Sequence, residues 1–205
     1  IFDDINRYPI SGSVRRLVSE GKFEGLKGEV DDTLTLLENV KNLQYVDKER
    51  IGMIGGSHGG GITALALARY REIDVGISCA GILNPFRWHF DYLKEGKPVS
   101  YVRSTFEQQM QYMLERSALH VAEYISAHLL IIVGGADSPA IYKMSLDFIN
   151  EMRRLGKTFE YKIYPKEVHG FYFGHPYNPI LPEEEWKKDT EDAYQMMKGF
   201  FKKNL

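Results

Sequence analysis

Arg50-Ile51-Gly52-Met53-Ile54-Gly55, then Gly56-Ser57-His58-Gly59-Gly60-Gly61, then Thr63-Ala64-Leu65-Ala66-Leu67-Ala68-Arg69-Tyr70 is a short apolar run, a glycine cluster around one serine, and a stretch of strong helix formers. The order reads as strand, tight turn, helix. Downstream the alternation repeats. Val75 to Ala80 reads as a strand, as does Leu129 to Val133, which is followed by the amphipathic stretch Ile141 to Leu155 with Gly156 to end it. Thr158 to Tyr164 carries apolar side chains at every second residue, Phe159, Tyr161 and Ile163, and is a further strand. From about Pro182 to Lys203 the chain closes in a helix that runs from acidic to basic. Upstream, Leu34, Leu36, Leu37, Val40 and Leu43 share one face of a helix expected from Asp31 to Leu43, with Asp31 and Asp32 at its positive end. Near-continuous apolar strands alternating with helices predict an α/β fold: a mostly parallel sheet with helices on both faces.

Leu83 to Ala127 breaks the rhythm. This segment, an insertion of about 84–127, is rich in aromatics, with Phe86, Trp88, Phe90 and Tyr92, and is helical in pattern from Ser104 to Arg116. Its aromatics either pack it onto the body or line a substrate pocket, to which Phe86, Trp88 and Phe171 are candidates. No internal repeat or linker divides the chain, so residues 1–205 are read as one domain.

Gly55-Gly56-Ser57-His58-Gly59 has the spacing G-x-S-x-G between an expected strand and an expected helix. A serine at so sharp a turn needs neighbours without side chains, and Gly55, Gly59, Gly60 and Gly61 are there. The following helix aims its first amides at the serine, so the backbone N–H of His58 is a candidate donor to a developing oxyanion. Glycine-rich turns of this kind also bind phosphate, but this one lacks the lysine of a P-loop and the G-x-G-x-x-G spacing.

A serine hydroxyl needs a base, and His169, directly after the last expected strand, is the candidate among six histidines. His58 is tied to the turn, with its side chain directed away from the serine. His89, His120, His128 and His175 are assigned packing or surface roles. His169 and His175 raise the thought of a metal, yet no carboxylate or cysteine completes a ligand pattern, and none is expected. An acid should follow the preceding strand, and Asp137 ends Val133-Gly134-Gly135-Ala136-Asp137. Asp137-Ser138-Pro139 is also good helix-start chemistry, so Asp137 alone could be a cap. Ser57, Asp137 and His169, in that order and each after a strand, form a candidate triad.

Val46 to Ala68, with the run from Tyr45 to Gly60, resembles the nucleophile region of the prolyl oligopeptidase family of serine peptidases. Arg116-Ser117-Ala118 with Leu129 to Asp137, Leu155-Gly156-Lys157 with Glu160-Tyr161, and Tyr164-Pro165 with His169-Gly170-Phe171 resemble its later segments. The resemblance runs from about Gly28 onward and implies an α/β-hydrolase fold that apparently lacks its first strands, with Ile1 to Pro9 as the end of an earlier strand. It also implies a Ser57–Asp137–His169 triad working without a cofactor. The loop that supplies the second oxyanion donor in that family is not in this sequence, and losing one donor costs roughly 10² to 10³ in rate. His58 stands where a tyrosine is common, Ala118 replaces a proline, and Glu167-Val168 replaces smaller residues.

Composition narrows the partners. The 26 basic and 28 acidic residues nearly cancel, so no field of one sign draws nucleic acid or a membrane surface. No apolar run reaches the roughly 18 to 20 residues that cross a bilayer. A single cysteine, Cys79, sits among apolar neighbours and reads as a buried thiol; with an N-terminus too acidic for a secretory leader, a cytoplasmic location is expected. The chain begins at Ile1, and something upstream of it is expected. The anticipated partners are a small peptide or ester substrate and, at the sheet edge, a missing N-terminal segment or a second copy in a homo-oligomer. Three functions remain open: a peptidase, a carboxylesterase with the same triad, and a non-catalytic hydrolase-like binding domain.

Overall fold

The structure is a computed structural model that describes residues 24–87, 105–174 and 178–205. In chain order its elements are α1 (Gly28–Val40), β1 (Gly52–Gly56), α2 (His58–Arg69), β2 (Val75–Cys79), α3 (Phe106–Leu114), a 3-10 turn (Ala118–Tyr124), β3 (His128–Gly134), α4 (Pro139–Arg154), β4 (Phe159–Tyr164), a second 3-10 turn (Phe171–Phe173) and α5 (Glu183–Asn204). The four strands are all parallel and lie in the order β1-β2-β3-β4, each beside its neighbour in sequence.

Side-chain alternation shows how both faces are covered. On one face, Leu67 of α2 lies over Gly76, the Ser78 hydroxyl donates to the Gly60 carbonyl at 3.0 Å, and Arg153 of α4 stacks on Tyr161. On the other, Phe201 of α5 lies against Gly52, Met197 touches the Cys79 sulfur, and Asp192 accepts from Lys162 and Tyr164. The central strands are apolar throughout because neither of their faces meets water: β2 is wholly buried, and β3 is buried from Leu129 to Gly134. Among the described residues β1 pairs only with β2, and Ile54 on it is 46% exposed. None of the described helices is long and apolar enough to cross a membrane.

Local chemistry sets the helix ends. Ser138 caps α4 by accepting from the Ile141 N–H at 3.4 Å, and Pro139 takes the first helical position, where its missing N–H costs nothing. At the other end Gly156, at φ +62°, closes a Schellman motif, with the Lys157 N–H reaching the Met152 carbonyl at 3.0 Å and the Gly156 N–H that of Arg153. Helix α1 begins three residues before the expected Asp31, because the Glu29 carboxylate accepts the Leu26 N–H at 2.9 Å and brings Gly28 into the helix. At about 100° per residue Leu36 lies some 200° around from Leu34, so Val30, Leu34 and Leu37 face inward while Leu36 is 62% exposed, and Leu43 lies beyond the end. The helix expected from Ser104 to Arg116 is α3, held by a capping box between Thr105 and Gln108. Arg116, nearly buried, ties it to the segment before α1 by donating to the Gly25 carbonyl at 2.9 Å. Ile1 to Pro9, Trp88, His89, Phe90, Tyr92 and His175 lie outside the described residues.

Candidate active site

Ser57 stands between the end of β1 and the first residue of α2 with φ +55° and ψ −118°. A side chain at such a backbone conformation costs on the order of 1 to 3 kcal/mol, and the surrounding bonds keep it there. The Ser57 N–H donates to the Cys79 carbonyl at 2.8 Å, and its own carbonyl accepts from Gly60, Gly61 and Ile82 at 3.1, 3.3 and 3.1 Å. The close approach explains most of the glycines. A Cβ on Gly55 would overlap the Gly59 carbonyl, one on Gly60 would meet the Gly81 Cα at 2.8 Å, and one on Gly61 would meet the Ile82 carbonyl at 2.6 Å. Gly59 differs from the expectation: a Cβ there meets nothing within 4 Å.

Asp137 follows β3 and His169 follows β4, so all three residues lie beyond the carboxyl edge of the sheet, where open α/β sheets place their sites. Strands β1 and β4 are three spacings apart, about 14 Å at some 4.8 Å per strand. The loop after β4 therefore has to double back over β3 to reach Ser57. It does so by close backbone contact. The Gly135 N–H donates to the Tyr164 carbonyl at 2.7 Å and the Ala136 N–H to the Glu167 carbonyl at 2.9 Å. A Cβ on Gly135 would sit 2.5 Å from the Pro165 carbonyl, and one on Gly134 would overlap that of Glu167.

The three side chains meet in a line. His169 Nε2 lies 2.9 Å from Ser57 Oγ, and Nδ1 lies 2.8 Å from Asp137 Oδ2. The Asp137 side chain is 1% exposed, and its other oxygen accepts the Ser138 N–H at 2.6 Å; because Ser138 caps α4, Asp137 faces the histidine. Its hydrogen bond raises the His169 pKa above the ordinary imidazole value, the desolvation of the ring opposing this. The ring edge of Tyr172 closes one side at 6.5 Å between centroids. His58 is the first residue of α2, and its imidazole pairs with Glu29 of α1.

The aromatics rearrange the expected pocket. Phe171 is 2% exposed and packs on Tyr164 at 4.8 Å, so among the described residues it belongs to the core. Gly170 at φ +85° and Gly174 at φ +71° bracket its 3-10 turn, and the Thr190 hydroxyl pins it by donating to the Phe171 carbonyl at 3.0 Å. Beside Ser57 stand instead the buried Tyr172 and the 65% exposed Phe173, both against Gly56. Neither was singled out from sequence, though both sit in the run after His169. Phe86 is half-buried against His120 at 5.0 Å, and His120 bonds to the Ser117 hydroxyl at 2.8 Å. His128 is exposed at the start of β3, at the opposite edge of the sheet. Burial pushes the Cys79 thiol up to about 12, which leaves it inert. Among the described residues no group of three or more His, Cys, Asp or Glu side chains is placed to hold a metal ion.

A parallel sheet wrapped by helices, with the strand-to-helix turn carrying a strained serine, is an α/β-hydrolase domain. The profile of the prolyl oligopeptidase family matches residues 15–185, and the chain belongs to that family. It is 24% identical over 155 residues to acylamino-acid-releasing enzyme 1 of Oryza sativa subsp. japonica, covering 69% of this chain and 20% of that protein. To dipeptidyl peptidase 8 of Mus musculus it is 27% identical over 161 residues, covering 76% and 18%. The chain thus spans about a fifth of the length of these relatives. Among solved structures, the uncomplexed acylaminoacyl peptidase of Pyrococcus horikoshii superposes with a TM-score of 0.68 at 28% identity, over 86% of this chain and 28% of that one. A puromycin-hydrolyzing peptidase of Mycobacterium tuberculosis shares the fold at a TM-score of 0.66 and 18% identity, over 89% and 26%.

Proposed function

We propose that this chain carries the catalytic centre of a serine peptidase that works by acyl transfer. The supporting observation is the imidazole of His169, within hydrogen-bond reach of Ser57 Oγ on one side and Asp137 on the other. His169 Nε2 takes the Ser57 proton as Oγ adds to the substrate carbonyl carbon. The carbonyl π pair moves onto oxygen, where the His58 backbone N–H at the positive end of α2 donates to it. Asp137 holds the tautomer with the proton on Nδ1 and stabilises the imidazolium. Collapse of the tetrahedral adduct breaks the bond to the leaving group, which takes the proton from Nε2 and departs as an amine or alcohol. Water then repeats the cycle on the acyl-enzyme and releases the acid. No cofactor is needed for any step. Phe173, exposed beside Gly56, and Phe86 are apolar surfaces for a substrate side chain.

A peptide substrate is favoured over a simple ester because the family and the named relatives are peptidases; the triad chemistry is common to both, and the pocket decides. The test compares hydrolysis of p-nitrophenyl acetate and of short aminoacyl amides by the chain and by Ser57→Ala. Turnover of both substrate types, lost in Ser57→Ala, supports the reading. Turnover of esters alone removes the peptidase assignment, and equal rates for the chain and Ser57→Ala remove the enzyme assignment.

A further inference from the structure

Glu167 stands two residues before His169, and the chemistry above gives it no task. It is 0% exposed, a rare position for a carboxyl group. Its Oε2 accepts from Asn178 Nδ2 at 2.8 Å, and among the described residues Oε1 has no hydrogen-bond partner. Asn178, itself 7% exposed, also donates to the Lys166 carbonyl at 3.2 Å, and its Oδ1 accepts the N–H groups of Ile180 and Leu181 at 2.9 and 3.2 Å. The amide thereby fastens residues 178–181 to the start of the histidine loop. On the opposite side the Glu167 carbonyl receives the N–H of Ala136, the residue before Asp137. Glu167 is the point at which the base loop, the acid loop and the segment leading to α5 are joined.

We propose that Glu167 is a positioning residue which registers the His169 loop against Asp137 and Ser57. It touches neither the substrate nor the reacting atoms. A buried carboxylate with a single side-chain donor is poorly compensated, whereas a neutral acid carrying its proton on Oε1 still accepts from Asn178 at Oε2. The surroundings agree: desolvation, the largest influence, raises the Glu167 pKa; the Asn178 hydrogen bond opposes it, the like charge of Asp189 on α5 adds to the rise, and the Val168 N–H opposes it least. The loop must span three strands to deliver an imidazole to within 3 Å of two partners, so a small lapse in its height is costly in rate.

The kinetic consequence rests on the triad reading; the structural one does not, and the test uses both readouts. The downfield proton NMR resonance of His169 Nδ1–H reports the bond to Asp137, and kcat and KM on p-nitrophenyl acetate report the chemistry. Glu167→Gln, isosteric and uncharged, keeps the resonance and kcat. Glu167→Ala broadens or loses the resonance and lowers kcat by about 10²-fold with little change in KM. Asn178→Ala, which leaves the acid in place, weakens both in the same sense and serves if Glu167→Ala fails to fold. Retention of resonance and kcat in Glu167→Ala overturns the proposal, as does a Glu167→Gln variant no better than Glu167→Ala. If the unmodified chain hydrolyses nothing, the enzyme reading fails while the resonance still decides the role of Glu167.

Discussion

The line from Asp137 through His169 to Ser57 has a pH dependence of fixed sign. The folded-state pKa of His169 lies above its unfolded value, so its contribution to stability is full below about 6.5 and is lost as the pH rises through the folded value. At 42% exposure of the side chain that contribution is small. Its kinetic face is larger. Initial rates from pH 5 to 9 should rise with a midpoint above about 6.5, and Asp137→Asn should lower that midpoint and reduce kcat by as much as about 10⁴-fold; an unmoved midpoint would show that Asp137 does not act on the imidazole. Glu167 has the same sign for a different reason: an acid with a raised folded pKa stabilises most at low pH and loses that contribution as the pH climbs through the folded value. Melting temperatures from pH 4 to 9 should therefore fall further for the unmodified chain than for Glu167→Gln. At this scale the sequence was legible where chemistry is local. Ser57 among glycines and Asp137 after an apolar strand can be read in a line of letters, and Ser138 could have been recognised as the cap that leaves Asp137 to the histidine. Nothing local marks Glu167, since its burial is imposed by the loop folding back over β3.

At the scale of elements, the strand-to-helix turn carries a contrast between two glycines four positions apart. Gly55→Ala forces a Cβ into the Gly59 carbonyl and should cost about 1 to 3 kcal/mol with loss of activity. Gly59→Ala enters open space in the first turn of α2 and should leave activity intact while stabilising by about 0.4 to 1 kcal/mol. Urea melts of the two variants check both, and equal effects would mean that the turn is not packed as described. The strands were readable because β2 and β3 are buried on both faces and so apolar without interruption. The start of helix α1 was missed because the Glu29 bond to the Leu26 amide leaves no periodic mark, and Leu36 was misplaced because it lies about 200° around the helix from Leu34. Phe171 was a pocket candidate, and nothing in the aromatic run after His169 marks which of its rings is buried. Two glycines at positive φ turn it inward and leave Phe173 at the surface.

Over the whole molecule, α2, α4 and α5 hold the sheet from two sides, and the site is what that arrangement leaves at the carboxyl edge. Phe148 of α4 is 0% exposed in the common core, so Phe148→Ala should cost about 3 to 5 kcal/mol in urea denaturation without altering the triad residues. The fold class could be anticipated because near-continuous apolar strands alternate with helices along the chain. The backbone contacts that carry the last loop back over β3 could not, because they join Gly134, Gly135 and Ala136 to Tyr164, Pro165 and Glu167 across separate loops and leave no local pattern. The central claim is that Ser57 is a nucleophile activated through His169, and the most direct measurement is labelling of the folded chain with a fluorophosphonate, with the modified residue located by peptide mass spectrometry. The account predicts a single adduct on Ser57, much slower to form in His169→Ala and absent in Ser57→Ala. A folded chain that stays unlabelled, or that labels equally fast without His169, would contradict it.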